Sequence, residues 1–493
     1  MTISFNNIPA SLRVPLFYAE IDPSMANTGA GGNQRTLIIG QITASGIAAP
    51  NAPILSQGVA DAVKQGGPGS MLALMVDKYR QNDLVGEVWL LPVSDAGGGT
   101  AATGTIAFTA APTVNGTLYL NIGDVLLLVA LTSSMTITQI ATAVAAAINA
   151  NVNLPITATS AVGVVTVTAK NKGLAQNDVA LVINNAGAAG GQSSPTGLAY
   201  TITAMSGGAG NPILTTALGN LGDMPFDFIV LPYFDTVSLD AMKALLNDTA
   251  GRWSYATQVY GHCFAASYGN LAAAQTLGAS RNDQHMTILA ENGSVTPHWL
   301  WAPSYVGAAA VALKADPARP LQTIIVNGVQ APPLASRFQL TDRNTLLFTG
   351  ISTFSVQADG TVRLENIVTT YQVNAYNQPD NSYLEVETMF QLMFLLRDLK
   401  ADITSRFPRA KLAATVARLA PGTGVVTPDM IKAEMIAHYR LLEYNGQAQD
   451  SNAFAAGLVV QQNPTNHNRV DVLWDGTIMN QLRIFAVLFQ FRQ

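Results

Sequence analysis

Histidines, a cysteine and close carboxylates are the residues of this chain that could begin a reaction, and their spacing supports none. The five histidines, His262, His285, His298, His438 and His467, include no pair at the i, i+4 spacing that puts two ligands on one helix face, so no zinc site is expected. His262 and Cys263 are neighbours in an expected strand and point to opposite faces, which prevents a thiol–imidazole dyad and leaves Cys263 as a buried structural residue. Gly66-Gly67-Pro68-Gly69-Ser70 precedes a helix as a phosphate loop would, but it lacks the P-loop lysine, so the glycines are read as a turn. No Gly-x-Ser-x-Gly or Gly-Thr-Ser turn offers a serine nucleophile. Asp380, Glu385 and Glu387 gather near a turn, where solvated-loop and capping roles are expected instead of a catalytic pair. The sequence therefore implies no enzyme, no metal and no cofactor.

The elements that would carry such residues form a long, multidomain α/β plus α+β chain. At 493 residues it exceeds one compact core. An α/β rhythm runs through 23–94, with strands at 36–39 and 87–91 and helices at 59–64 and 70–81, Ser70 being placed as an N-cap. Across 95–210 charge nearly vanishes and Ala, Gly, Thr and Val dominate, which reads as a mainly β domain inserted into the first and facing outward. The rhythm resumes over 211–330 and predicts a mostly parallel sheet covered on both faces. An α+β region follows over 331–465, with a hairpin at Asp359-Gly360 and two helices, 387–407 and 428–444. The second helix has Thr427 as N-cap, Pro428 in its first position and Asn445-Gly446 as its stop. Its Asp429, Lys432, Arg440 and Glu443 lie off the apolar face, as a contact surface or a solvated one.

Composition limits the partners. Charged residues make up 12% of the chain against 48% hydrophobic, with a mean hydropathy of +0.24, so much of the surface is expected to lie against other protein. No apolar run approaches the about eighteen residues of a spanning helix, so membrane insertion is not expected. A net charge of −5 without a Lys/Arg run argues against nucleic acid. One cysteine excludes an intrachain disulfide. Residues 1–12 lack the basic start and apolar block of a secretory signal, which points to a cytoplasm.

The two ends read as arms. Over 1–22, prolines at Pro9 and Pro15 prevent a helix while Val14 onward can extend. Over 466–493 the chain reads as two β-runs, the last carrying Leu482, Ile484 and Leu488 on one face and Phe485, Val487, Phe489 and Phe491 on the other. Such a strand either pairs inside its own domain or is donated to a neighbouring copy.

From the α/β region to its C-terminus the chain resembles the contractile tail sheath proteins of Mu-like bacteriophages. The resemblance is carried by Asp316-Pro317-Ala318-Arg319-Pro320-Leu321-Gln322-Thr323, Thr369-Thr370-Tyr371-Gln372-Val373-Asn374-Ala375-Tyr376, Asp380-Asn381-Ser382-Tyr383-Leu384-Glu385-Val386, Arg406-Phe407-Pro408-Arg409-Ala410-Lys411-Leu412-Ala413 and Asn480-Gln481-Leu482-Arg483-Ile484-Phe485-Ala486-Val487. Ile8-Pro9 and Arg13-Val14-Pro15 resemble the family's start. The resemblance implies a subtilisin-like sheath domain without protease chemistry, and a helical homo-oligomer of hexameric rings around a tail tube. It also implies partners in the tube protein, the baseplate and a tail terminator, and a place in the virion tail after assembly in the host cytoplasm. Exchanged arms would be formed by Phe5, Ile8, Val14, Phe17 and Tyr18 at one end and by Leu482 to Phe491 at the other. The 428–444 helix, with Asp429, Lys432, Arg440 and Glu443, would face the tube. A phage-derived particle, such as an R-type pyocin-like or secretion device, is the alternative, and a subtilisin-like hydrolase the distant one. Trp474-Asp475-Gly476-Thr477 stands where the family commonly has a proline-rich turn.

Overall fold

The computed structural model describes residues 34–414 and 424–493. At its centre, runs too uniformly apolar to alternate form a sheet buried on both faces. Thr36–Gln41 lies in the middle, Val88–Val93 beside it, and Phe228–Leu231, His262–Tyr268 and Met286–Glu291 extend outward on the other side, all parallel. Ile54–Leu55 adds an antiparallel edge. Thr36 sits opposite both Phe228 and Val88, and every residue of Thr36–Gln41, Phe228–Leu231 and Met286–Glu291 is buried.

Helices Met71–Arg80 and His298–Ala315 pack together over this sheet. Ser70 caps the first as expected, accepting the Ala73 amide at 3.2 Å. The glycine turn before it is also as read: Gly67 and Gly69 have φ of +91° and +72°, and a Cβ on Gly69 would meet the Leu154 carbonyl oxygen at 2.2 Å. The second helix contains Pro303 in its interior. A helix-interior proline costs about 3 kcal/mol, and here Trp299, Trp301 and Tyr305, all fully buried, outweigh that penalty.

Residues 101–206 build two further sheets. One is antiparallel and four-stranded, in the order Ala199–Ser206, Ala101–Ala110, Val164–Lys172, Ile156–Ala161; the other is three-stranded, with Gly116–Ile122 between Val125–Leu131 and Leu181–Ile183. Burial alternates along Val164–Lys172, so one face is covered, and helix Ile137–Ala150, opened by a Thr136–Gln139 capping box, packs against these strands. Ala199–Ser206 was not expected, because it is a largely exposed edge with little apolar signal. At the neck Asp95 accepts hydrogen bonds from Gln41 Nε2 at 2.7 Å, Asn171 Nδ2 at 3.1 Å and the Lys172 amide at 3.1 Å. The β-rich part is thereby tied to the carboxyl end of the central strand, the end where open α/β sheets usually bind ligands.

Beyond residue 331 the hairpin Thr353–Val356 with Val362–Asn366 turns through a loop longer than two residues, Gln357 N bonding to Thr361 O at 2.9 Å with Gly360 at φ +84°. Helix Leu340–Phe348 was unforeseen: its Gln339–Asp342 capping box uses the reverse of the usual residue order, and Leu346 alone is buried. Helix Val386–Arg406 docks on the central sheet. Phe390, fully buried, stacks on Phe228 at 4.8 Å, and Arg397 pairs with the buried Asp227. Replacing Phe390 by Ala is expected to cost about 3–5 kcal/mol. Urea unfolding followed by tryptophan fluorescence measures it, and a loss below about 1 kcal/mol would show that this ring does not dock the helix.

Candidate functional site

Four of the five histidines serve the packing. His262 Nε2 lies 2.9 Å from Thr287 Oγ1 between Phe264 and Phe390, and burial holds its pKa well below the usual imidazole range. His285 meets Asp248 at 2.8 Å and stacks on Trp253; His298 joins Asp178 and the Pro232 carbonyl. His467 is exposed. Cys263 is buried, and burial pushes its thiol up, the reverse of what a nucleophile requires. Among the described residues no group of three His, Cys, Asp or Glu is placed to hold a metal.

What the structure does assemble lies at the C-terminal end. Helix Pro428–Tyr444 begins at Thr427, whose hydroxyl accepts the Met430 amide at 3.3 Å, as the sequence indicates. Its Ile431, Met435, Tyr439 and Leu442 form a second core with Leu395, Phe454 and Leu458. Tyr439 stacks on Phe454 at 3.9 Å, and Trp474 closes the cluster at 5.6 and 5.3 Å from the two rings. The Tyr439 hydroxyl donates to the Gln449 carbonyl at 2.7 Å and accepts the Thr477 amide at 3.0 Å, while Thr477–Ile478 pairs with Ala448–Gln449. Trp474 therefore packs against this core and Thr477 is tied to it through the backbone, which fixes the path of the following chain.

The root of the arm continues from there. The Met479 amide donates to Gln391 Oε1 at 3.1 Å, and Gln322 Nε2 donates to the Leu482 carbonyl at 3.2 Å. Arg483 forms ion pairs with Glu387 at 2.7 Å and Glu385 at 3.0 Å. Of the solvated-loop and capping roles expected for those two carboxylates, the position at the helix start holds, Glu385 being the N-cap residue and Glu387 lying in the first turn, but the solvation does not: Glu387 is fully buried and Glu385 three-quarters covered, beside an arginine from a distant segment. Asp380 does belong to its turn, holding the Ser382 amide and hydroxyl at 2.9 and 2.6 Å.

After the root, pairing stops. No strand is formed from 479 to 493, so the second β-run pairs with no strand among the described residues. Leu482, Ile484, Phe485, Val487, Leu488, Phe489 and Phe491 are between 66% and 85% exposed. Nearby stands another incomplete element, the hairpin Val459–Gln462 with Val470–Leu473, which has two strands and leaves Val459, Val472 and Leu473 exposed. The N-terminal arm residues Phe5, Ile8, Val14, Phe17 and Tyr18 lie outside the described residues.

On the Pro428–Tyr444 helix, Asp429 and Arg440 are exposed and Lys432 is half-buried. Glu443 is engaged within the chain, accepting the Ser451 amide at 3.0 Å, which lowers its carboxyl pKa. Met430, Leu441 and Tyr444 are exposed beside these charges, so the outward face is mixed. Sequence reasoning missed Arg483, although it is the only charged residue between Asp475 and Arg492 and a lone charge in an apolar run is a signal.

His438 joins this helix to Val386–Arg406 by bonding Asp398, with Asp402 at 3.6 Å; Arg406 in turn bridges Asp402 at 2.5 Å and Glu434 at 2.6 Å. The Asp398 hydrogen bond raises the His438 pKa against the effect of burial, and the charges of Asp398 and Asp402 add to it while Arg406 opposes them. A folded-state pKa above the unfolded value means that the contribution is complete below about pH 6.5 and is lost as pH rises through the folded value. The stability of the wild-type chain is expected to fall across that interval, and His438→Gln to flatten the fall; equal slopes in urea titrations at pH 6 and 9 would refute it.

Comparisons with known proteins point to one family. Residues 207–370 match the phage tail sheath protein central domain and residues 378–492 the phage tail sheath C-terminal domain. The chain is 36% identical over 492 residues, covering 100% of both chains, to the Mu-like prophage FluMu tail sheath protein of Haemophilus influenzae. Similar solved structures include the sheath tail protein of Desulfitobacterium hafniense, at 14% identity and a TM-score of 0.48 over 95% of this chain and 97% of that one. Another is the sheath tail protein Lin1278 of Listeria innocua, at 14% identity and a TM-score of 0.48 over 92% and 94%. The full-length identity and the two matched domains lead to one assignment: this chain belongs to the phage tail sheath protein family.

Proposed function

We propose that this chain is the repeating subunit of a contractile phage tail sheath, joined to its neighbours by donated strands. The observation that carries the reading is the coexistence, at one end of the molecule, of an unpaired apolar strand and a two-stranded hairpin with open edges. Isolated two-stranded sheets are marginal in water, and exposed apolar strands aggregate unless covered. Pairing the Ile484 to Phe491 segment of one copy with the 459–473 hairpin of another satisfies both. Covering the arm's apolar side chains is worth on the order of 10 kcal/mol before the costs of association.

Head-to-tail exchange of this kind does not close on a pair, so it builds stacked rings, hexameric in the family reading, around a tail tube. The Phe5 to Tyr18 arm would complete the sheet from another subunit. Backbone hydrogen bonds along the arms hold subunits together while their bodies rotate, from a long, kinetically trapped form to a short one with more buried surface, driving the tube through the host envelope. The parallel layer is the subtilisin-like sheath core used as a scaffold without catalysis, and the 101–206 sheets form the outward-facing insertion. Asp429, Lys432 and Arg440 are the charges left to meet the tube, with Glu443 stabilising the helix end. Baseplate and terminator bind the two ends of the polymer, which is assembled in the host cytoplasm and resides in the virion tail.

Deleting residues 484–493 is expected to abolish tube formation by the purified protein in electron micrographs while leaving the urea midpoint of the body unchanged; normal tubes would refute strand donation. Lys432→Ala together with Arg440→Ala is expected to leave sheath assembly intact and to reduce co-sedimentation with tube protein severalfold, most visibly at low salt. Unchanged co-sedimentation would move the tube contact elsewhere.

A further inference from the structure

We infer that Arg483 is the anchor of the C-terminal arm, the residue at which tension on the donated strand passes into the body of its own subunit. The inference rests on the strand-donation reading above and adds to it the point of attachment. Arg483 is the last packed side chain of the arm, between the exposed Leu482 and the exposed Ile484. Arg483 has a side chain 15% exposed, whereas Ile484 is 82% exposed and the arm stays open to its end.

The contacts of Arg483 differ in kind from the single hydrogen bonds before it. Its guanidinium is in ion-pair contact with Glu385 and Glu387, donates to Asn366 Oδ1 at 2.8 Å, and reaches Gln481 Oε1 at 2.5 Å. Glu387 is itself held from behind, its Oε1 accepting the Leu321 amide at 2.7 Å. One residue of the arm thus contacts the start of the long helix and the 362–366 strand directly, and the 321 loop through Glu387. A planar, multidentate donor fixes direction as well as position, which a lysine ammonium does not. Because Glu387 has no exposure, the pair is poorly screened, so the attachment holds under salt that would weaken a surface ion pair.

Beside the anchor lies a groove of about 1110 Å³, rimmed by Arg483 and Ile484 and walled by Leu340, Leu347, Phe348 and Leu364. It leaves the arm room to change direction at residue 484 while Arg483 stays in place. A sheath whose bodies turn relative to one another without losing their tethers needs this combination of a fixed root and a free first residue.

The test uses the full chain and two variants. Arg483→Met combined with Glu385→Gln and Glu387→Gln removes the anchor without leaving a buried charge. It is expected to keep the urea midpoint of the body close to wild type and to raise the protein concentration needed for tubes by about tenfold or more. Arg483→Lys keeps a cation between the two carboxylates and so preserves the fold; its tubes are expected to dissociate at a lower urea concentration than wild-type tubes although the two monomers unfold together. Should the triple variant fail to fold, the lysine variant decides alone. Tubes of wild-type yield and urea resistance from either folded variant would overturn the anchor. If the 484–493 deletion also assembled normally, the donated strand itself would fall; if that deletion abolished tubes while the anchor variants assembled normally, only the anchor would.

Discussion

A strand with apolar groups on both faces is costly to leave in water, and among the described residues nothing pairs with or covers the last run of this chain. From Ile484 to Phe491 the backbone joins no described strand and the apolar side chains are exposed. The C-terminal structure leads up to this segment. The Tyr439–Phe454–Trp474 cluster directs the chain, the short pairing at 477–478 holds it against the core, and Arg483 is its last packed side chain. In the strand-donation reading, this incompleteness of the single subunit is what favours a polymer.

Charge is scarce in this protein and is concentrated at joints. Asp95 ties the β-rich insertion to the central strand, Asp227 and Arg397 join the long helix to the sheet, and Arg483 with Glu385 and Glu387 secures the arm. His438 and Arg406 tie the last two long helices together through Asp398, Asp402 and Glu434. Buried ion pairs contribute little net stability compared with apolar packing, but a mispaired one is costly, so they specify which surfaces meet. In a chain that exposes so much apolar surface to its neighbours, such specificity keeps the subunit's own parts in register. The insertion also covers the carboxyl end of the central strand, so the fold class most associated with ligand binding is used here as a solid block.

The elements with strong periodicity were legible without coordinates. The parallel strands, the capped helix after Ser70, the helix stopped by Asn445-Gly446 and the hairpin around Gly360 all stand within a few residues of where pattern and caps place them. Misses had local causes. The edge strand 199–206 carries too little apolar signal, and helix Leu340–Phe348 opens with an atypical capping pair. The arm was visible from its alternating apolar residues. Its root was not, because Glu385 and Glu387 are about a hundred residues from Arg483 and look like ordinary turn carboxylates until the fold brings the arginine to them.

Sequence alone shows an α/β core, no zinc-ligand, P-loop or serine-nucleophile motif, no Lys/Arg run, and a last run that is apolar on both faces. These follow from residue type and local spacing, which are written along the chain. Only the tertiary structure decided that this run joins no sheet among the described residues, that Trp474 packs against a core, and that one arginine is the last packed side chain before the open end. Those facts depend on contacts between residues far apart in sequence, and such contacts are set by packing and by the neutralisation of buried charge.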